Sequence, residues 1–402
     1  MNKAYLRYLA TGASILTLIF SSGSRAADLD DKSNNEFNVG FNQAWLGTYY
    51  SGQWQESYVD AETKKNVPVY SAAEADRMLD LTKNAGGKNL RIWLFEGQNS
   101  TALKWSKDGK VEGLDPAFLK TFEKFLLQAK AKGIQVYPTL FDANAFNDMP
   151  AGPMRDRWWN LMNDKNGGLD AFKKNALEPL FKLLNRPDLR STISGLDIAN
   201  EMDAAVNHNR FEKGWEGANK LICNIRSQLH EAKGSGKPIP VTASIGWPMI
   251  PLVNRAAADV LLDPNPHPNC VDFWDLHLYN NGGTIPNCAA IKAFVKKYQK
   301  KIYLGEFGQF SGAYDDKLQK SNAESFIANA KRCGFSGALA WRLSDVRPGY
   351  NPEARYSYEG NGGLRPAYEV IKSANAASAP TFVPETGTGK PESTTTHDAK
   401  GP

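Results

Sequence analysis

Two glutamates and the residues spaced around them offer the chemistry in this sequence. Asn200-Glu201 closes the apolar stretch "GLDIA", and Glu306 sits inside "YLGEFG". Arg91 lies in "NLRIWLF", His277 and Tyr279 in "DLHLY", and Trp341 at the end of "GALAW". A polar residue after an apolar run usually marks a chain turn. Here several such runs carry reactive groups: two carboxylates, a cation, an imidazole, a phenol and an indole. One carboxyl group, its pKa raised by a negative neighbour and by partial burial, can give up a proton. A second, kept ionised by Arg91 and Tyr279, can attack or stabilise a cationic centre. Those two roles together are what breaking a glycosidic bond requires.

Such a set works only if the elements carrying it share one end of a sheet. Eight strand-like runs follow one another: "FNVGF" from Phe37, "NLRIWLF" from Asn89, "IQVYPTLF" from Ile134, "ISGLDIA" from Ile193, "IPVTASIGW" from Ile239, "VDFWDLHLY" from Val271, "KIYLGEF" from Lys301 and "GALAW" from Gly337. Several are almost continuously apolar, as expected of strands covered on both faces. Helical stretches separate most of them. In "DPAFLKTFEKFLLQAKAKG", Asp115 suits the N-cap, Pro116 the first turn and Gly133 the end. Leu119, Phe122, Phe125, Leu126 and Ala129 form its apolar stripe. "SAAEADRMLDLTKNAGG" and "KSNAESFIANAKRCG" read the same way. Eight strand–helix units predict an α/β protein with a single (β/α)8 TIM barrel, whose chemistry gathers at the C-terminal strand ends. Arg91 then belongs near the end of strand two, Asn200-Glu201 ends strand four, and His277 and Tyr279 end strand six. Glu306 belongs to strand seven and Trp341 to strand eight. A doubly wound sheet is disfavoured, because no glycine-rich phosphate loop is present.

Residues 1–26 have the form of a cleaved signal peptide. Lys3 and Arg7 precede the apolar "ASILTLIF", and "SRA" supplies small residues at the cleavage site. The formal charge of the whole 402-residue chain is +5. Loss of Lys3, Arg7 and Arg25, with no acids, leaves +2. A charge so near zero argues against nucleic acid or an anionic membrane as partner. Residues 27–375 form the expected catalytic domain. From Ala376 onward, "ASAPTFVPETGTGKPESTTTHDAKGP" has little to bury and reads as a disordered tail. Export permits disulfides, and Cys223, Cys270, Cys288 and Cys333 allow three pairings that spacing does not decide. With five histidines, no HExxH and no CxxC, neither a metal nor another cofactor is expected.

In that order, "DIANE", "DLHLY", "YLGEFG" and "LAWRLSD" resemble the clan A glycoside hydrolases, family 5 most of all. "LRIWLF" and "TLFD" are similar to the second and third strands of its cellulases and mannanases, and "GLRPAYEVI" to its last helix. The resemblance spans roughly residues 36 to 375. It implies a retaining O-glycosyl hydrolase acting on β-linked sugars. It implies Glu201 as acid/base, Asn200 as the amide for the sugar 2-hydroxyl and Glu306 as nucleophile. Arg91 and Tyr279 correspond to donors supporting Glu306, His277 to the histidine near the acid/base, and Trp341 to the indole under the sugar at the cleavage point. Two departures stand out. Met202 follows Glu201 where many members carry proline. Phe141, Asp142 and Asn144 of "LFDANAF" stand where many members end strand three on histidine.

Retaining chemistry predicts carboxyl groups about 5 to 5.5 Å apart. Trp45, Tyr49, Tyr50, Trp54, Trp158, Trp159 and Trp247 fall in segments expected at the barrel mouth. Aromatic faces stack on sugar rings, so a row of them predicts an open cleft and endo action on a polysaccharide by a secreted monomer. An exo-acting glycosidase and a non-catalytic carbohydrate-binding barrel are the competing readings.

Overall fold

The computed structural model describes residues 37–46, 54, 57–59, 66–68, 70–96, 102–147, 151–233, 236–246, 270–285, 288–309, 315–344, 356–360 and 362–377. These all fall within one contact unit, Glu36–Pro402. The expected signal peptide and residues 378–402 of the expected tail lie outside the described residues.

Eight strands form one sheet: β1 (Asn38–Asn42), β2 (Asn89–Glu96), β3 (Gln135–Asp142), β4 (Leu196–Asn200), β5 (Val241–Thr242), β6 (Trp274–Tyr279), β7 (Ile302–Gly308) and β8 (Gly337–Ala340). The ladder runs β6-β7-β8-β1-β2-β3-β4-β5, and every pair is parallel. A parallel bridge between Ile245 and Leu276 joins β6 to the chain just beyond β5, which brings the ends of the sheet together. The expected (β/α)8 barrel is therefore present, with β4, β5, β6 and β8 shorter than the apolar runs suggested.

Helices α1 (Ala72–Asn84), α2 (Pro116–Lys132), α3 (Glu178–Leu184), α4 (Trp215–Glu231), α5 (Cys288–Tyr298), α6 (Asp316–Cys333) and α7 (Pro366–Ala376) follow the strands. Capping explains where α2 lies. The Asp115 carboxylate accepts the Ala117 amide at its start, and Gly133 ends it in the left-handed region at φ 74°. Its apolar stripe, Phe118, Phe122, Phe125 and Leu126, is fully buried with Leu90, Ile92 and Leu94 of β2 in the core. Burying each such side chain contributes about 1.5–3 kcal/mol. Trp54 packs on this stripe, 5.0 Å from Phe122, and donates its indole N–H to the Trp93 carbonyl.

Two disulfides brace the shell. Cys223 of α4 pairs with Cys270, before β6, and Cys288 of α5 pairs with Cys333 at the end of α6. Inside the barrel, apolar packing gives way to a charged layer. Arg91, Asp197 and Asp275 are buried there with Asn42, Thr139 and Ser244. Buried charges persist only when paired. Arg91 meets Asp197 at 2.7 Å, and Asp275 accepts the Tyr137 hydroxyl at 2.6 Å.

Candidate active site

Strand register assembles the site. His277 and Glu306 are direct partners across β6 and β7, Asp142 and Asn200 across β3 and β4, and Asn42 and Arg91 across β1 and β2. Glu201 follows β4 with a left-handed backbone, φ 52°. That conformation is uncommon for a residue with a Cβ and is held by its surroundings. The Glu201 N–H donates to the Ser244 hydroxyl, and the Met202 N–H to the Ser244 carbonyl. Gly246 leaves room for the side chain, since a Cβ there would stand 2.3 Å from the Glu201 carboxyl carbon.

Arg91 lies in the third position of β2, not near its end. Its long side chain supplies the reach. Nη1 donates to Glu306 Oε1 at 2.5 Å and to Asn42 at 2.9 Å. Nη2 donates to Asp197 at 2.7 Å and to Asn200 Oδ1 at 2.8 Å. The Tyr279 hydroxyl donates to Glu306 Oε2 at 2.5 Å. Both oxygens of Glu306 thus meet charged or hydroxyl donors, which favours its ionised form.

Glu201 is held differently. Its Oε1 lies 3.2 Å from His277 Nδ1, and its Oε2 accepts the Asn144 side-chain N–H at 2.6 Å. One oxygen of Glu201, one of Glu306 and a ring nitrogen of His277 lie within 4.8 Å of one another. Such a trio has the spacing of a cation site. It already faces the Arg91 guanidinium, however, so its charge balance suits a proton rather than a metal ion.

The electrostatics overturn one expectation. The carboxyl group expected to be raised, Glu201, is instead lowered. Burial pushes it up, but the hydrogen bond and charge of His277, the Asn144 amide and Arg91 outweigh that. Burial pushes Glu306 up, and Glu201 adds to this against the opposing charges of His277 and Arg91. Burial alone would lower His277, yet Glu306, Glu201 and Asp275 raise it to about 9. Near pH 7 His277 therefore carries a proton, beside Glu201 Oε1. Asp142 is pushed up to about 7, by burial first and by Glu201 among its neighbours. Tyr279 stays a protonated donor, because burial and then Glu306 raise it well above its ordinary value.

Glu201, Glu306, Arg91, Asn200, His277 and Tyr279 therefore converge. Trp341 packs beside them, its ring 5.6 Å from Trp93 and 6.2 Å from Trp45. Trp45 is held by its indole N–H on Glu96 and by the Arg342 guanidinium 4.8 Å from its ring. The row of open aromatic faces is only partly realised. Trp45, Trp54 and Trp158 are buried, Trp158 against Phe141, Phe146 and Trp105. Their faces are used by the core, which gains more from burying an indole than from leaving it in water. Trp159 is half-buried, and Tyr49, Tyr50 and Trp247 lie outside the described residues.

The sequence reading missed Glu96 and Asp197. Glu96 ends β2 in a left-handed conformation, φ 55°, and takes the Trp45 N–H. It sits in the same kind of position as Glu201, an acid closing an apolar strand, and that signal was available. Asp197, inside β4, gave no sign beyond a charge in an apolar run.

Scanning the chain against protein-family models gives no match, and neither does a search of curated proteins. Solved structures do match. A β-mannanase from the blue mussel Mytilus edulis superposes with a TM-score of 0.57 at 17% identity, covering 85% of this chain and 92% of that one. An endo-1,4-β-mannanase from Eisenia fetida gives 0.56 at 17% identity, covering 86% and 91%. An exo-β-1,4-mannosidase from Opitutaceae bacterium strain TAV5 gives 0.59 at 15% identity, covering 85% of this chain and 59% of that one. Identities this low establish the barrel fold. They agree with the resemblance to clan A glycoside hydrolases, family 5 most of all.

Proposed function

We propose that this chain is a retaining glycoside hydrolase that cleaves internal β-linkages of a mannan- or glucan-type polysaccharide. One observation carries the reading. Two carboxylates from β4 and β7 share one mouth with oxygens inside 4.8 Å, and Arg91 and Tyr279 are both aimed at Glu306. Inverting enzymes need carboxyl groups about 6.5–9.5 Å apart to admit a water, whereas closer pairs suit double displacement. The mannanase neighbours favour a β-mannan among the candidate substrates.

In the proposed reaction Glu306 attacks the anomeric carbon while Glu201 protonates the departing oxygen. The proton that Glu201 delivers comes from His277 Nδ1 across the 3.2 Å contact before the oxygen departs, so Glu201 is left as a carboxylate. A water, deprotonated by Glu201, then releases the sugar from Glu306. Asn200 faces the sugar 2-hydroxyl and Trp341 lies beneath the ring. Arg91 opposes the upward push of burial on Glu306, and Tyr279 orients it. No cofactor enters this scheme. The leader and the two disulfides favour work outside the cytoplasm, and nothing in the scheme needs a second copy of the chain. Among the described residues no helix is long and apolar enough to cross a membrane.

Product analysis over time on a β-mannan, a β-glucan and a bacterial exopolysaccharide tests this. Early loss of viscosity with a ladder of oligosaccharides, and first-formed products that keep the β-anomer, are expected. Single sugars released from chain ends at unchanged viscosity would instead assign exo action. No hydrolysis of any β-glycan would reject the enzyme reading.

A further inference from the structure

The turn after β3 builds a clamp on one oxygen of Glu201. Asp142, the last residue of β3, caps the short helix Ala143–Asn147. Its Oδ1 accepts the Asn144 amide N–H and its Oδ2 the Ala145 amide N–H, each at 3.2 Å. Oδ1 also accepts the side chain of Asn200 at 3.0 Å. Asn200 in turn accepts Arg91, which donates to Glu306. A single carboxyl group therefore ties the backbone of Asn144 to the hydrogen-bond chain that ends on the other glutamate. Held this way, Asn144 turns its side chain to Glu201 Oε2 at 2.6 Å. A carboxylate offers only acceptors, so the amide nitrogen must face it.

We infer that Asn144 is a positioning residue that decides which oxygen of Glu201 carries the proton. This rests on the glycosidase reading for its catalytic consequence, but not for its chemistry. With Oε2 already accepting an N–H, a proton on that oxygen would face a donor and lose the bond. The proton is confined to Oε1, the oxygen beside His277 Nδ1. Asn144 thus aligns Glu201 with its proton source and with the leaving oxygen. It stands within the segment that departs from the family pattern, so the chain holds its acid/base with an amide of its own.

The test uses the full chain labelled at the glutamate carboxyl carbon, with Glu201 assigned by the signal missing from Glu201→Gln. The Glu201 titration is followed by NMR in the wild type, in Asn144→Ala and in Asn144→Asp. A lost donor disfavours the ionised form, so the Glu201 pKa should rise in Asn144→Ala. It should rise further in Asn144→Asp, where a second carboxylate replaces the donor. Asn144→Asp keeps the side-chain size and guards against a folding failure in the alanine variant. Kinetics supply the second arm. In Asn144→Ala, kcat/KM should fall about tenfold or more on a β-linked oligosaccharide but stay within about twofold on an activated aryl glycoside, which departs without an acid. An unmoved Glu201 titration in both variants overturns the inference. So does an equal loss on both substrates, which would make Asn144 a sugar contact. If the titration moves but the wild type turns over no glycoside, the clamp stands and the enzyme reading falls.

Discussion

Gly246→Ala is a methyl-sized probe of Glu201. The added Cβ would stand 2.3 Å from Glu201 Cδ, 2.4 Å from Cγ and 2.6 Å from Oε1, where ordinary contact begins at 3.4 Å. The carboxyl group must therefore retreat by about 1 Å, and misplacement on that scale costs on the order of 100-fold in rate. That corresponds to about 2.7 kcal/mol of transition-state stabilisation. The clash falls on the end of a flexible side chain. The Gly246 N–H, which donates to Asp203 at 2.8 Å, is untouched by the substitution. Stability should thus fall by about 1–3 kcal/mol. The assay compares kcat/KM on an unactivated β-linked oligosaccharide and on a dinitrophenyl glycoside, with thermal unfolding alongside. The first should drop about 100-fold and the second far less, because only the poor leaving group needs a proton. Full activity on the oligosaccharide would refute the placement of Glu201 at the reacting oxygen. An equal drop on both, with a large loss of Tm, would mean that the barrel mouth had been distorted.

Three further outcomes follow from the same geometry. Glu306→Gln should abolish turnover of every substrate, whereas Glu201→Ala should be rescued by azide on an activated aryl glycoside; identical responses would reject the assignment of roles. Asp142 has a folded-state pKa of about 7 against an ordinary 3.8, so the folded state holds its proton where the unfolded state has released it. Stability should accordingly decline as pH rises from about 4 to about 7. Asp142→Asn should flatten that slope by up to about 4 kcal/mol, as read by urea unfolding against pH. Reducing the disulfides, which span 47 and 45 residues, should cost about 4 kcal/mol each on loop entropy, seen as a lower Tm in dithiothreitol. An unchanged Tm with all four thiols titratable would deny that contribution.

Much of this molecule was legible before its structure. The eight strands could be read because strands buried on both faces leave near-continuous apolar runs, and β3 is buried along seven of its eight residues. The capped ends of α2 were written in Asp115, Pro116 and Gly133. Glu201 and Glu306 stood out because a charge closing or interrupting a buried strand needs a reason. What could not be read depends on distance. Arg91 lies third in β2 and reaches the mouth by its length, and sequence carries no measure of side-chain reach. Trp158 looked like a sugar platform because an indole that packs on Phe141 and Phe146 has the same letters around it as one that faces water. The direction of the Glu201 shift hung on an imidazole 76 residues away and on the Asn144 amide, and no local pattern encodes their approach.

The two disulfides each span one half of the chemistry. The loop closed by Cys223 and Cys270 contains Ser244 and Gly246, which seat Glu201, and the loop closed by Cys288 and Cys333 contains His277's strand partner, Glu306. A protease that severs the backbone once inside either loop leaves both pieces covalently joined. The nicked chain stays one molecule, and its strands keep their neighbours while the rest of the barrel holds. Such damage would pass unseen on a non-reducing gel and show itself as two fragments after reduction. Each clasp sets aside a stretch of chain in which a single cut separates nothing.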